Sequence, residues 1–292
     1  MKKAKILSNL ILIFTLYPNL AKSAGPKFVI GGRTDCGFFS NFLGVLNNLH
    51  WCEKTAQIPV VYWPKQGKYY DPNGCNGIIS DNIWDYYFYP VSNLTYSAQD
   101  PINFSYYPPD NFCIAAHPGA HWAHPPYPDK YWRNYMHDLI ARYIKIKEPT
   151  LNKIENFYNN NIKGKRTVSI HIRGTDKFVE APPIPLDQIF AVANKYAPCQ
   201  FFIATDEERI LEEAKKMLKG RVIYYNSCRV ARVAGVHNTP PCPGKTRAYL
   251  GEEALIDCIL LSRCDLLIHT WSNFSIAALL FNPELEHIHL GR

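Results

Sequence analysis

The 292 residues are 47% apolar and 20% charged, a balance that supports one large or two ordinary domains and excludes a disordered chain. The formal charge is +7, but Lys2, Lys3, Lys5 and Lys22 supply four of it, which leaves about +3 on residues 25–292 and no case for nucleic acid as a partner. Aromatic residues reach 14%, with 19 Tyr and 6 Trp, a content that suits surfaces stacking on sugars or bases and equally suits aromatic cores.

Residues 1–24 read as a targeting segment. Three lysines precede the short apolar run Ile6–Leu16, and Ala21–Ala24 offers a small-residue cleavage site. The run is short for a spanning helix, so the segment is expected to be a signal peptide or a short anchor. The expected location is therefore export or the secretory pathway, with membrane contact only through that anchor.

A strand is predicted over Phe28–Ile30, running into Gly31-Gly32. A helix follows over Asn41–Glu53 and a second strand over Val60–Trp63. Residues 64–128 are rich in Pro, Tyr, Asn and Asp and predict long loops with short helices. Helices are predicted over 130–146 and 149–158, and the polar stretch 159–164 marks a boundary. The expected units are 25–160 and 161–292.

The second unit alternates strand and helix at βαβ spacing. Strands are predicted over Thr167–Ile172, Gln200–Ala204, Val222–Tyr225, Leu266–His269 and Ile288–Leu290. Helices are predicted over Pro185–Tyr196, Glu207–Leu218 with Gly220 as C-cap, Gly251–Leu261 and Phe274–Phe281. This pattern implies a parallel sheet covered on both faces. The architecture expected is α/β, with two Rossmann-like units facing a cleft.

Nine cysteines follow the leader, without CxxC or zinc spacing. Cys258 and Cys264 lie in apolar contexts and should pack as small hydrophobes. Cys36, Cys52, Cys75 and Cys113, in the loop-rich half, are the better disulfide candidates in an oxidising compartment. Asn93, Asn103 and Asn273 begin glycosylation sequons, which matter only in a eukaryotic secretory route.

The strongest chemical signal is His171-Ile172-Arg173-Gly174-Thr175-Asp176-Lys177, where a strand ends. Ligands of open α/β sheets bind at the carboxyl ends of strands. A guanidinium there can grip phosphate oxygens with two parallel bonds, and it does not titrate away. Gly174 permits close backbone approach, and Asp176 with Lys177 can orient the loop. The alternative is a structural Arg–Asp pair. Glu180 follows in a proline-stiffened loop and could serve as a general base, or be a solvated loop carboxylate.

Asp206 sits between a strand and a helix. It is either an ordinary cap or a group that touches the ligand or holds the arginine loop. Asp257 falls in an apolar helix and must find partners or shift its pKa. One carboxylate matches the adjacent N1–H and N2–H of guanine. Backbone donors or Arg263 could satisfy it instead. Ser272 and Asn273 would cap the last helix, a place where free N–H groups favour phosphate.

Two other groups carry less. His117, His121 and His124 have helical spacing, but Pro118 and Gly119 oppose a helix, so a metal site is not expected. The turn Gly31–Gly37 lacks the dinucleotide and ATP-loop spacings.

Taken in order, the His171–Lys177 segment, Thr205-Asp206, Gly251–Asp257, Ser262–Asp265 and Ser272-Asn273 resemble the GDP-fucose fucosyltransferase superfamily, most closely its α1,6-fucosyltransferases and bacterial nodulation fucosyltransferases. The resemblance covers about residues 165–292. It implies a GT-B-like fold and an inverting, metal-independent transfer of fucose from GDP-fucose to a glycan hydroxyl, with no cofactor. It implies Arg173 at the donor's β-phosphate, His171 and Asp257 at guanine, and Ser272 with Asn273 at the diphosphate. Gly174, Lys177 and Asp206 would line the donor pocket, and Arg173, Glu180 and Asp176 would be catalytic, Glu180 as base. Asp35 and His50 are rival bases from the facing unit. The α1,6 enzymes usually carry two adjacent arginines, and here the second is Gly174. The alternatives are a GT-B enzyme with another nucleotide-sugar donor and an inactive glycan-binding module. A hydrolase would want GxSxG, which the chain lacks.

Overall fold

The computed structural model describes residues 25–113, 129–174, 184–230, 238, 242–270 and 272–291. Two sheets, both wholly parallel, organise them. The first has three strands, β1 (Lys27–Gly31), β2 (Ile58–Tyr62) and the two-residue β3 (Ile102–Asn103), in the order β2-β1-β3. Helix α1 (Phe38–Thr55) connects β1 to β2. Between Pro64 and Cys113 the only regular pieces are a 3-10 turn at Ile83–Tyr86 and β3. Helices α2 (Lys130–Tyr143) and α3 (Glu148–Asn161) lead to the second sheet.

That sheet holds β4 (Thr167–Ile172), β5 (Gln200–Thr205), β6 (Val222–Ile223), β7 (Leu266–His269) and β8 (Glu286–His289) in the order β6-β5-β4-β7-β8. Every residue of β4, β5 and β7 is buried. Strands covered on both faces are rich in apolar residues, and the polar groups these strands do bury, such as Ser169 and Gln200, are hydrogen-bonded. The intervening helices are α4 (Leu186–Asn194), α5 (Glu208–Met217), α6 (Arg247–Ser262) and α7 (Asn273–Phe281). Alternate side chains of β5 enter different cores. Phe201 and Ile203 join the cluster with Ile189, Phe190 and Leu211 of α4 and α5. Phe202 and Ala204 join the cluster with α6 and α7.

The chain reverses its winding at β4, which has β5 on one side and β7 on the other. The crevice beyond the carboxyl ends of β4 and β7 is thus the sheet's topological switch point. The larger core is shared between the halves. Phe42 of α1 stacks on Phe281 of α7 with centroids 5.4 Å apart. Phe39 meets Phe274 edge-on at 4.9 Å.

The α/β class and both parallel sheets are as expected, and the differences are local. Helix α1 begins at Phe38, before the predicted Asn41. Its first turn carries Phe38 and Phe39, which are buried and extend the apolar face. Helix α6 begins at Arg247 and runs through Gly251, where it was predicted to start. That glycine is in the helix interior because a Cβ would collide with the Tyr87 hydroxyl, which donates a 2.8 Å bond to the carbonyl of Ala248. Gly220 is not the C-cap of α5, which ends at Met217 with Leu218 as its C-cap. A side chain at 220 would run into the Cys199 carbonyl and the Phe201 ring.

The disulfide expectation is also corrected. Cys228 pairs with Cys242, whereas Cys36, Cys52, Cys75 and Cys113 are in no disulfide. Burial makes Cys52, Cys75 and Cys113 part of the first unit's core, and it pushes each thiol up to about 12. Cys258 and Cys264 are buried as small hydrophobes. Of the sequon asparagines, Asn93 is exposed, Asn103 donates its amide to Asn48 Oδ1, and Asn273 opens α7. Among the described residues no helix is long and apolar enough to cross a membrane.

Candidate active site

A cleft of about 480 Å³ lies between the sheets at the switch point of the second. That volume falls in the range of small-molecule sites. Asp35–Ser40, Lys68 and Tyr69 form its first wall. The second wall includes His171, Arg173, Thr205, Asp206, Ser227, Glu253, Asp257, Ser272 and Asn273. Five of the residues picked from the sequence therefore converge there from separate strand ends and helices: His171, Arg173, Asp206, Asp257 and Ser272, with Asn273 beside them.

Each has a visible support. His171 ends the fully buried β4 and lies 2.8 Å from the hydroxyl of Ser275 through Nδ1. Its ring stacks on Phe274 at 4.5 Å with only 8° between planes. Phe274 in turn meets Phe39 of the opposite wall. The imidazole is thus fixed by a stack that crosses the cleft floor.

Arg173 follows β4 directly and is half-buried in the cleft wall. The next residue, Gly174, is held by a 2.8 Å bond from its N–H to Asp206 Oδ1. Of the readings open for Asp206, the structure gives the one in which it holds the arginine loop. Asp206 is not the N-cap of α5, which is Glu207, and Glu207 makes no side-chain cap. A Cβ at position 174 would collide with the Glu207 carboxylate and Ile210. A side chain here would have to push those two side chains aside.

Asp257 is buried in α6, as the sequence implies. Its partner is neither Arg263 nor the backbone. The hydroxyl of Ser227 donates to Oδ2 at 2.6 Å, and Arg263 pairs with Glu155 at 2.6 Å. Among the described residues Oδ1 is buried with no hydrogen-bond partner. Burial pushes this carboxyl up to about 7, against the Ser227 bond and the nearby Arg229 charge, with Glu253 adding to the rise. Such an acceptor, orphaned and facing a cleft, is matched to a donor on a ligand.

Sequence reading missed three contributors. Glu253, one residue after Glu252 on α6, accepts the N–H of Cys228 at 2.8 Å and pairs with Lys245. Ser227 orients Asp257. The Cys228–Cys242 disulfide anchors the loop bearing both contacts. The adjacent acidic pair Glu252-Glu253 in an apolar helix was the available signal. Lys68 of the first wall donates to Asn238 Oδ1 of the second at 2.7 Å.

Ser272 caps α7, its hydroxyl accepting the N–H of Phe274 at 3.1 Å. The positive end of α7 therefore opens on the cleft beside Arg173. The remaining expectations fall elsewhere. Asp35 lines the cleft but is exposed and bonded to Arg33, whose side chain holds its carboxyl below the usual range. His50 is not among the residues lining the cleft; its ring lies tilted against Phe112 at 4.1 Å and 2.7 Å from the Tyr135 hydroxyl. Asp176, Lys177, Glu180 and the histidines at 117, 121 and 124 lie outside the described residues. Among the described residues no cluster of metal-ligating side chains occurs.

No family model matches the chain, and no curated protein matches it significantly. Solved structures do. The fucosyltransferase NodZ from Bradyrhizobium superposes with a TM-score of 0.54 at 18% identity, over 88% of this chain and 94% of that one. The NodZ α1,6-fucosyltransferase co-crystallised with GDP gives 0.54 at 18%, over 88% and 93%. A fucosyltransferase of Arabidopsis thaliana in complex with GDP gives 0.50 at 11%, over 91% and 70%. At these identities the likeness is one of fold. It places this chain among the folds that its motifs resemble.

Proposed function

We propose that this chain is a GT-B glycosyltransferase that moves fucose from GDP-fucose to a glycan hydroxyl, with inversion and without a metal. The observation that carries the proposal is the convergence of Arg173, His171, Asp257 and the α7 N-terminus on one cleft at the switch point. Support comes from the bound ligands of similar folds, since NodZ structures contain GDP or were soaked with GDP-fucose.

In this reading 161–292 is the donor-side unit and 25–160 the acceptor-side unit. Asp257 Oδ1 accepts from guanine, and His171, held flat by Phe274, completes the base pocket. Arg173 and the α7 N-terminus face the diphosphate. The reaction is one displacement. The bond from the anomeric carbon to the phosphate oxygen breaks, its electron pair leaving with GDP, as the acceptor oxygen bonds to the opposite face. The transition state is oxocarbenium-like. The charge growing on GDP is stabilised by donors already in place, which lose little to reorganisation. The acceptor proton goes to a carboxylate, for which we propose Glu180, with Asp176 the alternative on the same loop.

The leader-like segment 1–24 leads us to propose work in a secretory lumen supplied with GDP-sugar, or in a tethered form. The test of function is thermal unfolding with nucleotides, followed by transfer assays. GDP and GDP-fucose should stabilise the protein, UDP and ADP should not, and chelator should leave transfer unchanged. Equal stabilisation by UDP removes the guanine assignment and favours another donor. Strict dependence on manganese removes the metal-free mechanism. GDP binding without transfer or donor hydrolysis supports an inactive module.

A further inference from the structure

Helix α1 contains two asparagines, Asn47 and Asn48, that are fully buried in an otherwise apolar stretch. Burying two amides is unfavourable unless their hydrogen bonds are met. Asn48 Nδ2 donates to the Gly44 carbonyl of its own helix at 2.8 Å, and further bonds of both amides go to one loop. Asn47 Nδ2 donates to the carbonyl of Tyr106 at 3.3 Å. Asn48 Nδ2 donates to the carbonyl of Ser105 at 3.2 Å, and Asn48 Oδ1 accepts from Asn103 Nδ2 at 2.8 Å. The helix interior thus fixes the backbone of 103–106. The rings at its ends remain outside, with Phe104 45% and Tyr107 38% exposed. Large exposed aromatics on a backbone held this firmly are unlike scattered surface residues.

The loop also lies against the turn that leads into the first wall of the cleft. Phe104 lies against Gly31, where a Cβ would strike the ring. Gly31 leads into Arg33, whose N–H and carbonyl are both bonded to Asn41 at 2.8 and 3.0 Å. Arg33 and Asp35 form an exposed ion pair at 3.0 Å, and Asp35 lines the cleft. An apolar ring face beside a guanidinium and a carboxylate is the complement of a pyranose, which has a C–H face and a rim of hydroxyls.

We infer that Phe104 and Tyr107, with Arg33 and Asp35, form the acceptor platform, on which a neutral pyranose of the glycan stacks. The inference rests on the transferase reading and names its second substrate's site. Phe104 carries the stacking, and Arg33–Asp35 orients the sugar hydroxyls toward the cleft.

The test compares full-length wild type with Phe104→Ala, Phe104→Tyr and Phe104→Ala/Tyr107→Ala. The probe is a printed array of neutral oligosaccharides ending in hexose or N-acetylhexosamine. GDP binding is measured by calorimetry and oligomeric state by sedimentation. Wild type should retain a subset of glycans. The double variant should lose that retention by about tenfold or more, with GDP affinity within about twofold and Phe104→Tyr close to wild type. Loss of glycan retention in a protein that never binds GDP would support the platform and sink the donor reading alone. Retention of no glycan by wild type, or equal retention by the double variant, overturns the platform. Unchanged retention with conversion of a wild-type dimer to monomer also overturns it and makes this face an interface between copies.

Discussion

Asp206 accepts a 2.8 Å hydrogen bond from the backbone N–H of Gly174, so the end of β5 fixes the loop that leaves β4. The arginine on that loop is one residue away. Its position in the cleft is set by a neighbouring strand as well as by its own.

The first prediction follows from this bond. Asp206→Ala should lower kcat for fucosyl transfer by about 10- to 100-fold, because small displacements of a reacting group are costly. GDP affinity should change little. Asp206→Asn keeps an oxygen acceptor and should recover most of the rate. Rates at saturating GDP-fucose check this, and equal losses in both variants would show that the negative charge, rather than the bond, is what counts.

Arg173→Ala should reduce turnover by about 10²–10³ with little change in melting temperature, since the guanidinium acts on charge that develops during reaction. Arg173→Lys should rescue little, because an ammonium lacks the two-pronged geometry. Single-turnover transfer rates measure both. Near-normal rates for Arg173→Lys would make the arginine structural.

Asp257 sets a pH dependence. Its carboxyl lies near 7 in the folded protein, against an ordinary value of 3.8. In the proposed reading guanine is bound by the carboxylate form, so GDP affinity should fall about tenfold between pH 8 and pH 6. The effect on stability has the opposite sense. A raised folded value means the fold holds the proton, so this group's contribution is full below about 3.8 and lost as pH rises through about 7. Asp257→Asn should therefore approach wild type in melting temperature only below about pH 3.8 and exceed it by a growing margin up to pH 8, while losing discrimination between GDP and ADP. Parallel pH profiles of the two proteins would refute this account.

Glu180→Gln should leave GDP-fucose binding intact and lower transfer by about 10²–10⁴, the usual size of general-base assistance. Slow donor hydrolysis should persist, because departure of GDP depends on Arg173 and α7. Asp176→Asn and Asp35→Asn are the controls. Collapse of transfer in one of these, with near wild-type transfer by Glu180→Gln, moves the role to that residue.

Reduction of Cys228–Cys242, or Cys228→Ser/Cys242→Ser, should lower the melting temperature by roughly 5–10 °C, as expected for a closed loop of this size. The bridge spans 14 residues and abuts the contacts to Asp257 and Glu253. GDP affinity should weaken as well. Calorimetry with and without reductant separates the two effects, and unchanged GDP affinity would confine the bridge to stability.

The β4 and β7 strands and the residues at their ends were legible in the sequence because buried parallel strands have a narrow vocabulary and end in polar loops. His171, Arg173, Asp257 and Ser272 each stand out against apolar surroundings. Less legible were features whose cause lies far along the chain. Gly251 looks like a helix start, and only the Tyr87 hydroxyl explains it. Gly174 looks like a ligand-approach glycine, yet a side chain there would also have to displace the ends of Glu207 and Ile210. The disulfide was misplaced because spacing carries no distance information. The loops between Pro64 and Cys113 have no periodicity to read.

The contacts Phe39–Phe274 and Phe42–Phe281 have an evolutionary corollary. Helix α1 belongs to one sheet and α7 to the other, and their aromatic faces interlock beneath the cleft. The two halves are therefore not interchangeable parts. A hybrid that took residues 25–160 from another protein of this fold would place a foreign α1 against Phe274, the ring on which His171 lies. Changes to the loops above the cleft leave this interlock intact, whereas exchanging the halves beneath it does not.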